Sequence, residues 1–244
     1  IVAEIGKFLL GGYLYRAARP VMWSVVEQTA LAEAEVEYFD KTSSSVYVAF
    51  PILHDDFNDV SAVIWTTTPW TLPANYGIAL NADFEYGVYE SQGERLIIAT
   101  GLKDAFEKDT GLGLTLVSQH KGSEFENLKA KHPFIARDSL IVLGDHVTLE
   151  AGTGAVHTAP GHGLDDYIVG MKYKLPVVSP VNEAGKFTSE VADLEGVSIW
   201  DANPKIVETL KEKGALLGFK EISHTYPHNP RTKTPLIFRA TPQW

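Results

Sequence analysis

Apolar residues recur along this chain in short bursts rather than in long helical stripes. Runs at Val46–Phe50, Ala62–Thr67, Ile78–Leu80, Leu96–Thr100, Thr115–Ser118, Leu140–Leu143 and Ala155–Thr158 predict strands. Helical patterns interrupt them at Leu102–Asp109, Asp165–Tyr173 and Pro204–Lys213. For the last, Asn203 is placed to cap, Pro204 to open the first turn and Gly214 to follow the end. Near the start, Ile5, Phe8, Leu9 and Leu10 predict a short helix that stops near Gly11–Gly12. Residues Ala30–Tyr38 pull two ways. Ala and Glu favour helix, yet Ala32, Ala34, Val36 and Tyr38 alternate with Glu33, Glu35 and Glu37, and the period of two predicts a strand with one wet face. Many short strands with a few helices imply a mixed α/β fold, a barrel-like β core carrying inserted helices. The core is expected over 44–220, with 1–43 and 221–244 forming a small β stalk. No repeat at solenoid spacing and no low-complexity tract occurs.

Composition narrows the class. The 244 residues are 45% hydrophobic and 21% charged, ordinary globular values, and the chain is long enough to bury a sizeable core. With no cysteine, disulfides, thiolate metal sites and thiol nucleophiles are excluded. No apolar run approaches the ~20 residues of a membrane span. Asp and Glu outnumber Lys and Arg 31 to 21, for a net charge of −10, which argues against a general nucleic-acid coat. A local patch could still meet one defined nucleic-acid end. The chain starts at Ile1 and stops at Trp244 with no visible signal peptide. It reads as a piece of a longer intracellular protein, expected in the cytoplasm.

Two segments carry chemistry. The first is WTTTPWTLPAN, Trp65–Asn75. Pro69 forces Thr68 towards extended geometry and ends the strand, leaving Thr66, Thr67 and Thr68 to offer hydroxyls and backbone N–H groups to a water or a ligand hydroxyl. The bland alternative is a Thr-rich strand entering a turn, with Trp65 and Trp70 as core. The second is GTGAVHTAPGHGLDDY, Gly152–Tyr167. Its glycines and proline permit a tight strand-to-helix turn, with Asp165 or Asp166 in the first helical turn. His157, His162, Asp165 and Asp166 then admit three readings: metal ligation, a general base in a substrate site, or a helix cap with surface histidines. A phosphate loop is disfavoured, since no Lys-Ser or Lys-Thr follows the glycines.

Both segments closely resemble the two editing motifs of the editing domain inserted into isoleucyl-tRNA synthetases, members of the class I aminoacyl-tRNA synthetases. The flanks ALAEAEVEYFDKTS, from Ala30, and KTPLIFRATPQW, from Lys233, resemble that family too, so the resemblance spans essentially the whole chain. Related valyl and leucyl editing domains usually carry Arg after the paired threonines, where Thr68 stands here, which favours the isoleucyl branch. The HIGH-like and KMSKS-like activation signatures are absent, so no aminoacylation is expected of these residues.

The resemblance implies the editing-domain fold and hydrolysis of valine mischarged to tRNA(Ile). One methylene separates valine from isoleucine, worth only about 1–3 kcal/mol in an apolar pocket, a magnitude measured on synthetases of this very kind. A second site that admits valine and hydrolyses its ester is the remedy. Carried onto matching positions, the family's site makes Thr66, Thr67, Thr68, His157 and Asp166 the reacting set. It makes Trp65, Thr71, Asn75, His157 and Asp166 the substrate-binding set. Asp166 would pair with the α-ammonium, His157 would help exclude isoleucine, and the threonines would hold the terminal adenosine, the ester and water. His162 and Asp165 are expected to be loop and cap residues. Implied partners are the tRNA(Ile) 3′ end carrying valine, valyl-adenylate, and the catalytic domain of the parent enzyme, with no membrane. Many relatives carry paired CxxC zinc ligands where this chain has Ser24 and Glu27, then Asn229 and Thr232. No zinc and no other cofactor is therefore expected. Two competing functions remain: a passive docking module for the tRNA 3′ end, and a metal-dependent hydrolase using His157, His162, Asp165 and Asp166.

Overall fold

A computed structural model describes all residues, 1–244. In chain order its elements are α1 (Val2–Leu10), β1 (Ala17–Ser24), β2 (Thr29–Ala30), β3 (Glu37–Pro51), β4 (Val60–Thr66), β5 (Gly77–Leu80), β6 (Glu85–Ser91), β7 (Glu94–Ala99), α2 (Lys103–Thr110), β8 (Thr115–Lys121), β9 (Lys129–Lys131), β10 (Asp138–Leu143), β11 (Ala155–Thr158), α3 (Leu164–Lys172), α4 (Ile199–Glu212), β12 (Leu216–His228) and β13 (Ile237–Gln243). Short 3-10 turns join several of them. One sheet has ten strands and curls into a half-barrel; the other has three, in the order β13-β1-β2. Beta3 and β12 form a long antiparallel ribbon, Glu37–Val48 against Leu216–His228. The boundaries expected at 43/44 and 220/221 fall within it.

The seven predicted apolar runs all fall on strands, six of them for a common reason; the seventh, Thr115–Ser118, is on the exposed edge strand β8. Val46, Val48, Phe50, Ala62, Ile64, Ile78, Leu80, Ile97 and Ile141 are fully buried in one continuous core. Each buried Ile or Leu contributes roughly 1.5–3 kcal/mol by leaving water. Helix α4 seals one side of that core through Ile199, Ala202, Ile206 and Leu210, spaced at helical intervals.

That spacing corrects the sequence expectation. Helix α4 begins at Ile199, capped by Ser198, whose Oγ accepts from the Asp201 N–H at 3.2 Å. Asn203 is inside the helix, and Pro204 is an interior proline with no N–H for the Trp200 carbonyl. Ala30–Tyr38 is also corrected. Beta2 ends at Ala30, a 3-10 turn occupies Glu33–Glu35, and β3 starts at Glu37. No residue in Ala30–Tyr38 is buried, so the alternation has no core face to satisfy. Glu35 instead accepts from the Ala32 N–H at 2.9 Å and closes the turn. Helix α1 forms as expected, but buries no residue.

The topology of the ten-stranded sheet positions the site. Beta4 pairs with β3 on one edge. Its other edge is shared, by β7 at Val60–Ala62 and by β11 at Trp65, both parallel to it. Beta5 runs antiparallel to β11, with His157 opposite Ile78 and Thr158 opposite Gly77. Beta11 thus lies between β4 and β5. The connection from β4 to β5, residues 67–76, must cross the carboxyl end of β11. Ligand sites in open α/β sheets form at such strand ends.

Candidate active site

The crossing connection is the Thr-rich segment. Thr66 ends β4, and a 3-10 turn spans Pro69–Ala74 with Thr68 at its N-cap. Its hydroxyls are chained. Thr66 Oγ1 accepts from the Thr68 N–H at 3.1 Å and lies 3.2 Å from Thr68 Oγ1, which is 3.3 Å from Thr71 Oγ1. Thr71 donates to the Thr68 carbonyl at 2.8 Å. Thr66 and Thr71 are buried, while Thr67 and Thr68 are half-buried.

Beneath the turn is His157, buried, with both ring nitrogens bound. Asn75 Nδ2 lies 2.7 Å from His157 Nδ1, and Thr71 Oγ1 lies 2.9 Å from His157 Nε2. The amide orientation follows from its neighbours: Asn75 Nδ2 also donates to the Gly77 carbonyl at 2.8 Å, and Asn75 Oδ1 accepts from the Ser139 hydroxyl. An NH₂ facing Nδ1 makes that nitrogen the acceptor, so Nε2 carries the hydrogen and donates to Thr71. Burial pushes His157 down to about 3, with nearby His132, His162 and Arg137 adding to the effect. His157 is a neutral, oriented donor. The proton of Thr68 Oγ1 remains free to face Thr66, Thr71 or a ligand, because Thr71 has already given its own away.

Asp166 arrives from the other motif. Asp165 and Asp166 both sit in the first turn of α3. Asp165 is exposed; Asp166 folds back so that Oδ2 accepts from the Ala159 N–H at 2.8 Å, beside the end of β11. A Cβ on Gly163 would fall 2.9–3.1 Å from the Asp166 carboxyl atoms and would displace the carboxyl from this place. Desolvation raises the Asp166 carboxyl to about 7, against the pull of the Ala159 N–H. The group gains strongly from a cationic partner.

A cavity of about 320 Å³ opens beside this cluster. Trp65, Thr66 and Thr67 form one wall, and Gly152–Val156 with His146 and Thr148 the other. Trp65 is anchored by its Nε1–H donating to Ser45 Oγ at 2.6 Å. Its size suits a small ligand group. The largest cavity, about 700 Å³, is a surface trough elsewhere, between Pro51, Asp59, Glu94 and Lys213. None of the motif residues lines it.

The two motifs thus come to the end of β11: Thr71 and Asn75 bond His157, and Asp166 bonds the Ala159 N–H just beyond the strand, while one expectation is corrected. Neither motif histidine is on the surface. His162 is buried, its Nδ1–H donating to the Phe238 carbonyl at 2.9 Å and its ring edge-on to Trp70 at 5.0 Å. Trp70 is core and Trp65 cavity wall. His157, His162, Asp165 and Asp166 do not converge as metal ligands, and no other group of three His, Asp or Glu side chains does.

Several positioning groups carried no sequence signal. His132 Nε2–H donates to the Leu72 carbonyl at 2.9 Å, and Arg137 donates to the Pro73 carbonyl at 2.6 Å. Ser139 orients Asn75. A separate Ser118–His120–Glu124 chain, at 2.9 and 3.0 Å, has a structural explanation. Glu124 caps the following 3-10 turn through the Lys121 N–H, and His120 packs on Phe57 and Phe125.

The chain belongs to the class I tRNA synthetases. A sequence profile of that family, described as tRNA synthetases class I (I, L, M and V), matches residues 2–244. Within the family it is similar to isoleucine–tRNA ligases. It is 51% identical over 245 residues to that of Petrotoga mobilis, covering 100% of this chain and 26% of the relative. It is 49% identical over 245 residues to that of Staphylococcus aureus (strain JH9), covering 98% and 27%. The chain thus spans about a quarter of the length of these curated relatives. Its fold is shared with the crystal structure of GlLeuRS-CP1, at a TM-score of 0.58 and 12% identity, over 73% of this chain and 100% of that one. The mixed fold implied by the motif resemblance is the fold found.

Proposed function

We propose that this chain is the proofreading part of an isoleucine–tRNA ligase and hydrolyses valine from mischarged tRNA(Ile). What carries the reading is the meeting of Asp166, the Thr66–Thr68 hydroxyls and the His157–Thr71 pair at the carboxyl end of β11, in a member of this family. Asp166 binds the α-ammonium through a charge-assisted contact and fixes the ester. Thr71 and His157 bound the side-chain pocket and stop the longer isoleucine. Thr67 and the Gly152–Val156 wall take the terminal adenosine, with Trp65 and Asn75 holding the two walls in place.

The reaction transfers an acyl group to water. The water oxygen attacks the ester carbonyl, the bond to the ribose oxygen breaks, and that oxygen leaves with the proton that water gives up. His157 has both nitrogens bound and stays neutral, so it does not act as a base paired with a nucleophile. The rate comes from an oriented water and from N–H and hydroxyl donors, Thr68 among them, that polarise the carbonyl. Valyl-adenylate is a second candidate substrate for the same pocket. The parent enzyme's catalytic domain is the proposed partner on the chain-end side, with 1–43 and 221–244 as the stalk and the cytoplasm as the compartment. No helix is long and apolar enough to cross a membrane.

The test compares deacylation of Val-tRNA(Ile) and Ile-tRNA(Ile) by wild type and Asp166→Ala, with and without chelator, repeated within the full synthetase if this chain alone is inert. Selective loss of valine that collapses in the variant and ignores chelator supports the proposal. Equal rates in both proteins would point to a passive docking module, and loss of activity with chelator to a metal-dependent hydrolase.

A further inference from the structure

Asn203 stands inside α4, where an asparagine serves the helix poorly. Its side chain has a use outside that helix. Asn203 Oδ1 accepts from the Trp70 N–H at 3.0 Å, across 133 residues of sequence. The 3-10 turn at Pro69–Ala74 has no side-chain cap of its own. Pro69, its first residue, brings no N–H, so the Trp70 N–H is the first donor at the turn's open end. The next, from Thr71, is satisfied by the Thr68 carbonyl at 2.9 Å. A remote helix therefore supplies the missing cap.

We propose that Asn203 is a positioning residue for the hydrolysis proposed above, on which this inference rests: by capping the turn at Trp70 it sets where the Thr68 and Thr71 hydroxyls point. Trp70 is buried, so its N–H has no water to turn to if the acceptor is removed. The carboxyl end of the turn is fixed separately, by His132 at Leu72 and Arg137 at Pro73. Loss of Asn203 loosens only the end that carries Thr68, leaving it to Thr66 and to the Thr71 contacts with the Thr68 carbonyl. The bound ester still finds Asp166, which hangs from α3. The effect thus falls on the chemical step rather than on binding.

The test is single-turnover hydrolysis of Val-tRNA(Ile) by the full 244-residue chain, or by the parent enzyme, as wild type, Asn203→Leu, Asn203→Ala and Asn203→Asp. Aspartate keeps the acceptor oxygen; leucine and alanine remove it. Thermal melts and amide exchange at Trp70 accompany the rates. The expected result is a saturated rate about tenfold lower in the leucine and alanine variants, as for one lost hydrogen bond. Half-saturation should move less than twofold, Trp70 exchange should quicken, and aspartate should recover most of both. Unchanged rates in folded Asn203→Leu and Asn203→Ala, or an aspartate variant no better than leucine, would overturn the proposal while leaving the hydrolase intact. A wild type that does not hydrolyse the ester in either setting would overturn the hydrolase itself, and the role of Asn203 with it.

Discussion

Two buried polar networks in this molecule invite comparison. One lies under the crossing turn: Ser139, Asn75, His157, Thr71 and Thr68. The other joins the chain ends, where Asn229 Nδ2 donates to Ser24 Oγ at 3.1 Å and to Glu27 Oε2 at 2.6 Å. There Asn229 Oδ1 accepts from the N–H groups of Arg231 and Thr232, and Ser24 Oγ also accepts from the Glu27 N–H. Both asparagines are fully buried. The chain-end network closes on itself, with both ends of the Asn229 amide bound within the knot. The network under the turn continues through Thr68 to Thr66, which lines the cavity. A closed polar network holds a fold together; one that reaches a cavity can also serve a reaction.

Several measurements would break or sharpen this contrast. The largest effect belongs to Asp166→Ala, which should slow valine release about 100-fold, the worth of a hydrogen bond to a charged group. Stability should change little or rise, since a desolvated carboxyl is removed. Next, Asn75→Leu and Asn229→Leu should each lower stability by about 1–3 kcal/mol, seen as a shift in denaturation midpoint, because each leaves buried partners unsatisfied. Only Asn75→Leu should also reduce hydrolysis per folded molecule. Equal loss of activity in both would erase the distinction between the networks.

Acid should separate them as well. His157 is held down to about 3 and His132 and His162 to about 4, all chiefly by burial. An unfolded histidine titrates near 6.5, so between there and 4 the unfolded chain binds protons that the folded one refuses. Stability from these groups is complete above about pH 6.5 and is lost as pH falls. Asp166, raised to about 7, works the other way: its contribution is present below the unfolded carboxyl value and lost as pH rises through 7. Three groups outweigh one, so the denaturation midpoint should fall on acidification from 6.5 to 4. Valine release should do the same for another reason. The rate at low substrate should rise with pH through about 7 as Asp166 ionises, and that rise should vanish in Asp166→Asn. The smallest effect is that of Thr67→Val. The Thr67 hydroxyl has no hydrogen-bond partner within the chain, so stability should stay within about 0.5 kcal/mol, with tRNA half-saturation raised a few-fold.

Much of this was legible in the sequence, for physical reasons that differ by segment. The strands at Val46, Ala62 and Ile78 announced themselves because both faces are buried and their runs are continuous. Thr66–Thr68, His157 and Asp166 stood out because their residue types are chemically conspicuous, although the roles came from family resemblance and not from spacing. Beta6 was missed. Its Gly87 looks like a strand breaker, but the Tyr89 ring lies where a Cβ would be, 2.4 Å away. Asn203 looks like a cap for its own helix, since a local pattern cannot reveal a partner 133 residues away. His132, Arg137 and Ser139 were invisible for the same reason: they act through carbonyls and amides that only the fold brings near.

The crossing of β11 by the Thr-rich connection also has a consequence in time. Thr71 waits for His157, 86 residues later, and Trp70 for Asn203, 133 residues later. A ribosome adding about 5–20 residues per second needs on the order of ten seconds to deliver that last contact. Until then the threonines have only one another as partners. The contacts that order this turn are therefore among the last this segment makes, so a half-made chain carries both motifs without the arrangement that joins them.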